Sequence, residues 1–183
     1  MNRIHVCPLS QVEATILSAK PTHVVSLLAL RHRVPTFSTI APQNRLHLAL
    51  SDIVTETPSY VLAEAAHVSR LITFVEDWDR SGDLLIHCYA GVSRSTAAAF
   101  VALCTLDKAT SEADHARRLR AASPSATPNP RLIALADAAL DRDGRMIEAV
   151  AALGRGAECF EGNVFSLDLP QPVETDARRV HMG

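Results

Sequence analysis

The stretch that decides the fold of this chain reads Leu84-Leu85-Ile86-His87-Cys88-Tyr89-Ala90-Gly91-Val92-Ser93-Arg94-Ser95. It begins with an apolar run typical of a buried strand, and the run that follows it, Thr96–Leu103, favours a helix. The stretch therefore predicts a strand that enters a tight loop and continues into a helix. Backbone N–H groups and the positive end of the helix dipole converge in such a turn, where they form an anion-binding site.

Two side chains of this loop suit an attack on phosphorus. Cys88 opens the loop, where the field that holds an anion also stabilises a thiolate, the nucleophilic form of cysteine. Arg94 closes the loop, and its guanidinium group matches two phosphate oxygens at once. The residues expected to surround the phosphoryl group are Tyr89, Ala90, Gly91, Val92, Ser93 and Arg94.

The spacing Cys-x5-Arg is weak evidence alone, because so short a motif arises by chance. The histidine before the cysteine, the glycine at position 91 and the Arg94-Ser95 pair strengthen it, as does the strand–loop–helix context. Together these residues resemble the signature of the protein-tyrosine-phosphatase superfamily, His-Cys-x2-Gly-x-x-Arg-Ser/Thr. The plainer alternative is a buried structural cysteine beside the start of a helix.

The resemblance implies roles for the neighbours of Cys88. Ser95 lies where the family places the hydroxyl that helps the thiolate leave the phosphoenzyme, and capping of the helix is compatible with that role. His87 ends a buried strand, so we interpret it as a hydrogen-bonding support of the cysteine region rather than a proton carrier. Cys104 lies in the following helix. Packing is its default role, and a redox partnership with Cys88 is the alternative.

The rest of the sequence predicts an α/β domain around this loop. Ser10 and Glu13 form a capping-box pattern that predicts a first helix through about Lys20. Strands are predicted over Arg3–Cys7, His23–Leu28, Leu46–Leu50 and Leu84–His87, and later helices over 57–82, 95–106, 111–122, 129–142 and 145–153. This alternation predicts a single domain with a small, mostly parallel sheet of four or five strands flanked by helices, as in the tyrosine phosphatases.

The end of the chain carries no clear periodic pattern. Gly162–Gly183 is predicted to be irregular, and residues 171–183 are predicted to form a disordered tail. The sequence has no internal repeat and no composition shift that would mark a second domain. We therefore expect one cysteine-phosphatase domain over residues 1–170.

A general acid is expected at the same edge of the sheet as Cys88. A thiolate that attacks a phosphate monoester expels an alkoxide or phenoxide, which an acid should protonate. Parallel sheets gather their ligand sites at the carboxyl ends of their strands, and Asp52 follows the strand Leu46–Leu50, 36 residues before Cys88. The dual-specificity branch of the family has its acid at a similar upstream spacing. Asp52 is therefore predicted to be the acid, with Glu56 as the second candidate. The plainer role of Asp52 is to cap a turn. The carboxylates at positions 77 to 83 are expected at the opposite edge of the sheet.

The bulk properties limit the partners and the compartment. A formal net charge of −2 gives no reason to expect nucleic acid or a membrane surface as a partner. The four cysteines show no disulfide framework, and the start of the chain lacks a signal peptide, so a cytoplasmic location is expected. The expected chemistry needs no metal and no other cofactor. The sequence gives no indication of an oligomeric state.

The resemblance implies a phosphatase of the compact dual-specificity type found in bacteria. We expect it to hydrolyse phosphotyrosine, with phosphoserine and phosphothreonine as further substrates, in a protein or peptide. Family members that act on inositol phosphates carry lysines within the loop, and residues 89–93 include none. Two alternatives stay open, which are a non-catalytic phosphate-binding module and a phosphatase that acts on a non-protein phosphate.

Overall fold

The computed structural model describes residues 2–170 and places five strands in one sheet. The strands are β1 (Arg3–Pro8), β2 (His23–Leu27), β3 (Arg45–Leu48), β4 (Leu84–Cys88) and β5 (Phe165–Asp168). The helices are α1 (Val12–Ala19), α2 (Ala65–Glu76), α3 (Arg94–Leu106), α4 (Glu112–Ala122), α5 (Pro130–Ala139) and α6 (Arg145–Leu153). The predicted α/β class and the small, mostly parallel sheet are therefore confirmed.

The order of the strands brings four carboxyl ends to one edge of the sheet. That order is β3-β2-β4-β1-β5, with β1 to β4 parallel and β5 antiparallel to β1. His87 of β4 lies between Cys7 of β1 and Ser26 of β2, and Cys88 lies beside Pro8. The loop after β4 thus begins at the centre of this edge.

The helix that follows the loop is the most deeply buried of the described helices. Every residue of α3 from Arg94 to Thr105 is buried, because α2, α4 and α5 all pack against it. Phe100 and Leu103 have no exposed surface, and burial of one such side chain contributes about 1.5–3 kcal/mol. The loop is therefore joined on both sides to elements that packing immobilises.

The prediction of a long helix over residues 57–82 is wrong at both ends, because α2 spans only Ala65–Glu76. Ser51 and Val61 explain the late start. The Ser51 N–H donates to the Val61 carbonyl (2.8 Å) and the Val61 N–H donates to Ser51 Oγ (3.2 Å), which ties the intervening segment into a loop after β3. The helix begins where the ring of His67 accepts a backbone N–H at 3.1 Å.

Two further expectations are wrong. Ser10 does not cap α1, since the N-cap residue is Gln11 without a side-chain hydrogen bond, and Ser10 Oγ instead donates to Glu161 (2.8 Å). The segment expected to be irregular from residue 162 onward contains β5, in which Phe165 and Leu167 are buried and the residues between and after them are exposed. The disordered tail predicted for residues 171–183 lies outside the described residues.

Candidate active site

The loop of residues 88–95, which we call the Cys88 loop, is held from outside by backbone hydrogen bonds. Four of its carbonyl groups accept N–H groups from other segments. The pairs are Tyr89 with Leu9 (3.0 Å), Ala90 with Gly162 (2.8 Å), Val92 with Thr127 (2.9 Å) and Ser93 with Asn129 (3.3 Å). Because these carbonyls are engaged on the outside, N–H groups of the loop are free to converge inside it, as an anion site requires.

Gly91 is required by the path of this loop. Its φ is +72°, a left-handed conformation, and a Cβ there would lie 2.7 Å from the backbone nitrogen of Pro8. Only glycine accepts both the dihedral angle and the close approach. The glycine of the sequence pattern therefore lets the loop pack directly on the end of β1.

The sulfur of Cys88 lies inside the loop with two hydrogen-bond partners. The Gly91 N–H donates to Cys88 Sγ (3.2 Å), and Ser95 Oγ lies 3.1 Å from the same sulfur. Both partners stand close to the N-terminus of α3, which begins at Arg94. The sulfur therefore lies beside a backbone N–H, a hydroxyl group and the start of a helix.

The side chain of Arg94 is buried but only partly satisfied. Its Nη1 donates to the carbonyl of Leu50 (3.1 Å), just beyond β3, which fixes the guanidinium group over the loop. Its Nε has no hydrogen-bond partner among the described residues, although the residue is only 6% exposed. A buried polar group without a partner is unfavourable, and an anion bound in the loop would supply the missing acceptor.

Asp52 reaches the Cys88 loop from the segment after β3. Its Oδ1 accepts hydrogen bonds from Ser93 Oγ (2.7 Å) and Asn129 Nδ2 (2.9 Å). Its Oδ2 lies 3.8 Å from Arg94 Nε, and the side chain is 37% exposed. The structure thus brings Asp52 together with Ser93 and Arg94 at the edge of the sheet where the order of the strands predicts the acid.

The other carboxylates considered from the sequence lie elsewhere. Glu56 is exposed and forms no hydrogen bond or ion pair with any described residue. Asp83 precedes β4 and contacts His5 of β1 at 2.8 Å, at the edge of the sheet opposite Cys88. Its location agrees with the direction expected for the carboxylates that precede β4.

Asn129 belongs to the site although the sequence analysis placed it only at the start of a predicted helix. Its Oδ1 accepts the N–H groups of Arg131 (3.1 Å) and Leu132 (3.2 Å) at the start of α5, while its Nδ2 donates to Asp52. One side chain therefore starts a helix and orients a carboxylate 77 residues away in the sequence. The only signal for this contact was the Pro-Asn-Pro turn itself.

The side chain of His87 lies on the face of the sheet opposite to that of its neighbour Cys88, and it does not enter the loop. Its Nε2 shares a hydrogen bond of 2.7 Å with Ser26 Oγ, and its ring packs near Phe37. Burial lowers the pKa of His87 to about 4, so the ring is neutral at physiological pH. This environment favours a supporting role over proton transfer.

The rim of the site carries two half-exposed tyrosine rings. Tyr89, the residue after Cys88, lies against the ring of His32 with a centroid distance of 4.6 Å. Tyr60, on the segment that carries Asp52, lies under the guanidinium group of Arg31 at 5.4 Å. Each tyrosine is 45% exposed, so the rim presents aromatic surface to a bound molecule.

The other buried cysteines are unsuited to thiolate chemistry. Burial raises the pKa of Cys7 and of Cys104 to about 12. Cys104 lies near the far end of α3, about 15 Å along the axis from Arg94 at 1.5 Å per residue. A redox partnership between Cys104 and Cys88 therefore has no structural support.

A cavity of about 550 Å³ lies beside the Cys88 loop. Val92 and Ser93 contribute to its wall, and the rest comes from the turn before α5, from α5 and α6, and from residues 154–159.

Within residues 2–170, no group of three or more His, Cys, Asp or Glu side chains is arranged to hold a metal ion. None of the described helices is long and apolar enough to cross a membrane.

Comparisons by sequence give no match, whereas comparisons by structure do. No family model matches the chain, and no curated protein sequence matches it. Among solved structures, human DUSP28 has a TM-score of 0.58 at 20% identity, over 76% of this chain and 88% of that chain. The Cydia pomonella PTP-2 phosphatase has a TM-score of 0.58 at 17% identity, over 74% and 84%. A human tyrosine phosphatase-like serine/threonine/tyrosine-interacting protein has a TM-score of 0.55 at 16% identity, over 75% and 87%.

These neighbours are dual-specificity and tyrosine phosphatases and a phosphatase-like protein. The chain therefore has the fold of the protein-tyrosine-phosphatase superfamily, as the resemblance of the Cys88 loop implied. Its single α/β domain has a five-stranded mixed sheet and six helices within residues 2–170. The expectation of a bacterial type is not tested by these neighbours.

Proposed function

We propose that this chain is a metal-independent cysteine phosphatase that hydrolyses phosphate monoesters through a cysteinyl-phosphate intermediate. The observation that carries the proposal is the environment of the Cys88 sulfur. The Gly91 N–H donates to it at 3.2 Å, Ser95 Oγ lies 3.1 Å from it, and the Nε–H of Arg94 in the same loop has no hydrogen-bond partner within residues 2–170. This is the arrangement that an anionic nucleophile and an anionic substrate both require.

Binding of the substrate relies on Arg94 and the loop amides. Two equatorial oxygens of the phosphoryl group accept hydrogen bonds from the guanidinium group, and the third faces the N–H groups of Tyr89–Ser95. In this position the phosphorus stands in front of Cys88 Sγ. The loop amides and Arg94 stabilise the negative charge of the phosphoryl group, which a metal ion does in other phosphatases.

In the first step, the thiolate of Cys88 forms an S–P bond while the bond between phosphorus and the leaving oxygen breaks. Asp52 gives a proton to that oxygen from Oδ2, the atom that Ser93 and Asn129 leave free. The alcohol or phenol departs, and a cysteinyl phosphate remains. Asp52 is then a carboxylate.

In the second step, a water molecule attacks the phosphorus of the cysteinyl phosphate. The carboxylate of Asp52 takes a proton from this water, a P–O bond forms and the S–P bond breaks. Ser95 Oγ, at 3.1 Å from sulfur, donates a hydrogen bond to the departing thiolate. Inorganic phosphate leaves and the starting protonation states are restored.

The proposed substrate is a phosphorylated protein or peptide, with phosphotyrosine preferred. Tyr60 and Tyr89 provide aromatic surface at the rim, where the ring of a phosphotyrosine would pack. The segment Tyr89–Ser93 holds no lysine, which disfavours an inositol phosphate as the substrate. The reaction needs a reduced cysteine, so we also propose a reducing compartment such as the cytoplasm.

A non-catalytic phosphate-binding module is the competing proposal. One structural neighbour is described as a phosphatase-like interacting protein, so the fold can be associated with a role described as interaction. Such a module would bind phosphate without turnover. In this chain Cys88, Arg94 and Asp52 all stand at the loop, which supports catalysis instead.

The test is hydrolysis of p-nitrophenyl phosphate with EDTA and a reductant present. Wild-type protein is expected to release p-nitrophenol, and the Cys88→Ser variant is expected to show no turnover. Binding of inorganic phosphate to both proteins, measured by calorimetry, is the control for an intact loop. Turnover that persists in Cys88→Ser contradicts the proposed nucleophile, and phosphate binding without wild-type turnover supports the binding module.

A further inference from the structure

Two basic side chains stand at the rim of the Cys88 loop without an acidic partner. Arg31 and His32 follow the carboxyl end of β2, which lies beside β4 at the sheet edge where the loop begins. Arg31 Nε donates to His32 Nε2 at 3.2 Å. Neither side chain forms an ion pair with any carboxylate of residues 2–170, so the positive charge of Arg31 is not neutralised by an acidic side chain of this part of the chain.

Stacking contacts fix this pair relative to the proposed catalytic groups. The ring of His32 lies 4.6 Å from that of Tyr89, the residue after Cys88. The guanidinium group of Arg31 lies 5.4 Å from the ring of Tyr60, on the same segment as Asp52. The pair therefore connects the segment of the nucleophile with the segment of the acid.

The pair presents hydrogen-bond donors and no acceptor. Because arginine has no lone pair to offer, the Nε2 of His32 must accept the bond from Arg31, and the proton of the neutral ring is then on Nδ1. Neither this Nδ1–H nor the terminal amino groups of Arg31 donate to any described residue. Burial and the positive charges of Arg31 and Arg94 lower the pKa of His32, in agreement with a neutral ring.

We propose that Arg31 and His32 form an oxyanion site beside the Cys88 loop, which binds a second negatively charged group of the substrate. The inference rests on the proposed phosphatase function. The second group is a carboxylate of an acidic residue next to the phosphorylated residue, or a second phosphate. Both groups offer acceptor oxygens to the same donors.

Arg33 provides a matched control for Arg31. It has the same charge, lies two positions further along the chain and is exposed. Its side chain forms no hydrogen bond or stacking contact with any described residue. Replacing Arg33 therefore changes the net charge by the same amount without altering the contacts with Tyr60 and His32.

The experiment compares three phosphotyrosine peptides that differ only in the residue before the phosphotyrosine, which is alanine, glutamate or phosphoserine. Removal of the phosphate from phosphotyrosine is followed by the rise in tyrosine fluorescence of the peptide, and kcat/KM is measured for wild type, Arg31→Gln and Arg33→Gln. The wild type is expected to prefer the charged peptides about fivefold over the alanine peptide. The preference should fall close to one in Arg31→Gln, persist in Arg33→Gln and shrink at high salt. The larger of the two gains identifies the carboxylate or the phosphate as the second group.

Three results would overturn the inference. They are equal rates on the three peptides in the wild type, an unchanged preference in Arg31→Gln, and an equal loss of preference in Arg31→Gln and Arg33→Gln, which would indicate a general electrostatic field. If no peptide and no p-nitrophenyl phosphate is hydrolysed, the proposed function itself fails. Calorimetric binding of the peptides to Cys88→Ser then decides the inference separately, and equal dissociation constants for the alanine and glutamate peptides refute it.

Discussion

The two oxygens of the Asp52 carboxylate have different surroundings, and this difference bears on its proposed role. Oδ1 accepts hydrogen bonds from Ser93 and Asn129 at 2.7 and 2.9 Å. Oδ2 accepts no hydrogen bond from residues 2–170, and Arg94 Nε lies 3.8 Å from it. A carboxyl group anchored through one oxygen has a fixed orientation, so that the other oxygen can carry a proton over the loop. Ser93 and Asn129 are thus positioning residues for the proposed acid.

Replacing Asp52 should lower turnover most for substrates with poor leaving groups. We expect Asp52→Asn to reduce kcat for a phosphotyrosine peptide about 100-fold, since general acid catalysis typically contributes 10²–10⁴. The loss should be smaller for p-nitrophenyl phosphate, whose leaving group needs less help. Steady-state kinetics with both substrates over a range of pH measures this. The matched control is Glu56→Gln, the other candidate acid on the same segment. A large loss in Glu56→Gln and none in Asp52→Asn would transfer the role to Glu56.

Burial of neutral His87 should make folding stability depend on pH. Its pKa in the folded protein is about 4, against 6.5 for an exposed histidine. The unfolded chain therefore binds the proton more strongly, and stability is full above about pH 6.5 and is lost as pH falls towards 4. At pH 5 this single residue should remove about 2 kcal/mol of unfolding free energy. Urea unfolding of wild type and His87→Gln between pH 7.5 and 5 tests this. The stability difference between the two proteins should shrink as pH falls, and a constant difference would contradict the assignment.

Among the elements, the turn from β4 into α3 depends most on one backbone position. We expect Gly91→Ala to lower the unfolding free energy by about 2 kcal/mol or more, because its Cβ would meet Pro8 and its φ is positive. Gly144→Ala is the control, since Gly144 is left-handed too, with φ +86° and ψ −8°, and no atom beyond its chain neighbours lies within 4 Å of the position that its Cβ would take. That variant should lose only about 1 kcal/mol. Chemical unfolding of both variants measures the difference, and equal losses would show that the contact with Pro8 is unimportant.

The elements that the sequence predicted are those whose signal is local. β4, the Cys88 loop and α3 are encoded by consecutive residues, with an apolar run, a glycine and a helix-forming run. The start of α2 was missed because a long-range pair, Ser51 with Val61, holds the preceding segment in a loop. β5 was missed because it has only four residues. Its alternation of apolar and polar side chains is too short to predict a strand without the neighbouring strand β1.

At the scale of the whole molecule, the candidate site is assembled from segments that are distant in the sequence. The topology predicted that Asp52 would lie at the same edge of the sheet as Cys88, because the carboxyl ends of parallel strands meet at one edge. No such rule applies to Asn129, which reaches the site from the turn before α5. The stacking of His32 on Tyr89 also depends on how a loop folds back over the edge. Side-chain contacts between loops were therefore beyond what the pattern of strands and helices could predict.

Because the site joins these segments, a bound anion should stabilise the entire domain. Inorganic phosphate at 100 times its dissociation constant should add about 2.7 kcal/mol to the unfolding free energy, which corresponds to a rise in Tm of about 5–10 °C for a chain of this size. The same rise is expected for Cys88→Ser, which keeps the loop and Arg94, whereas Arg94→Lys should show little or none, because lysine lacks the planar fork. Differential scanning calorimetry of each protein with and without phosphate measures the rise independently of catalysis and of each variant's own stability. An equal rise in Arg94→Lys would mean that phosphate binds elsewhere, and the Cys88 loop would then lose its claim to be the anion site.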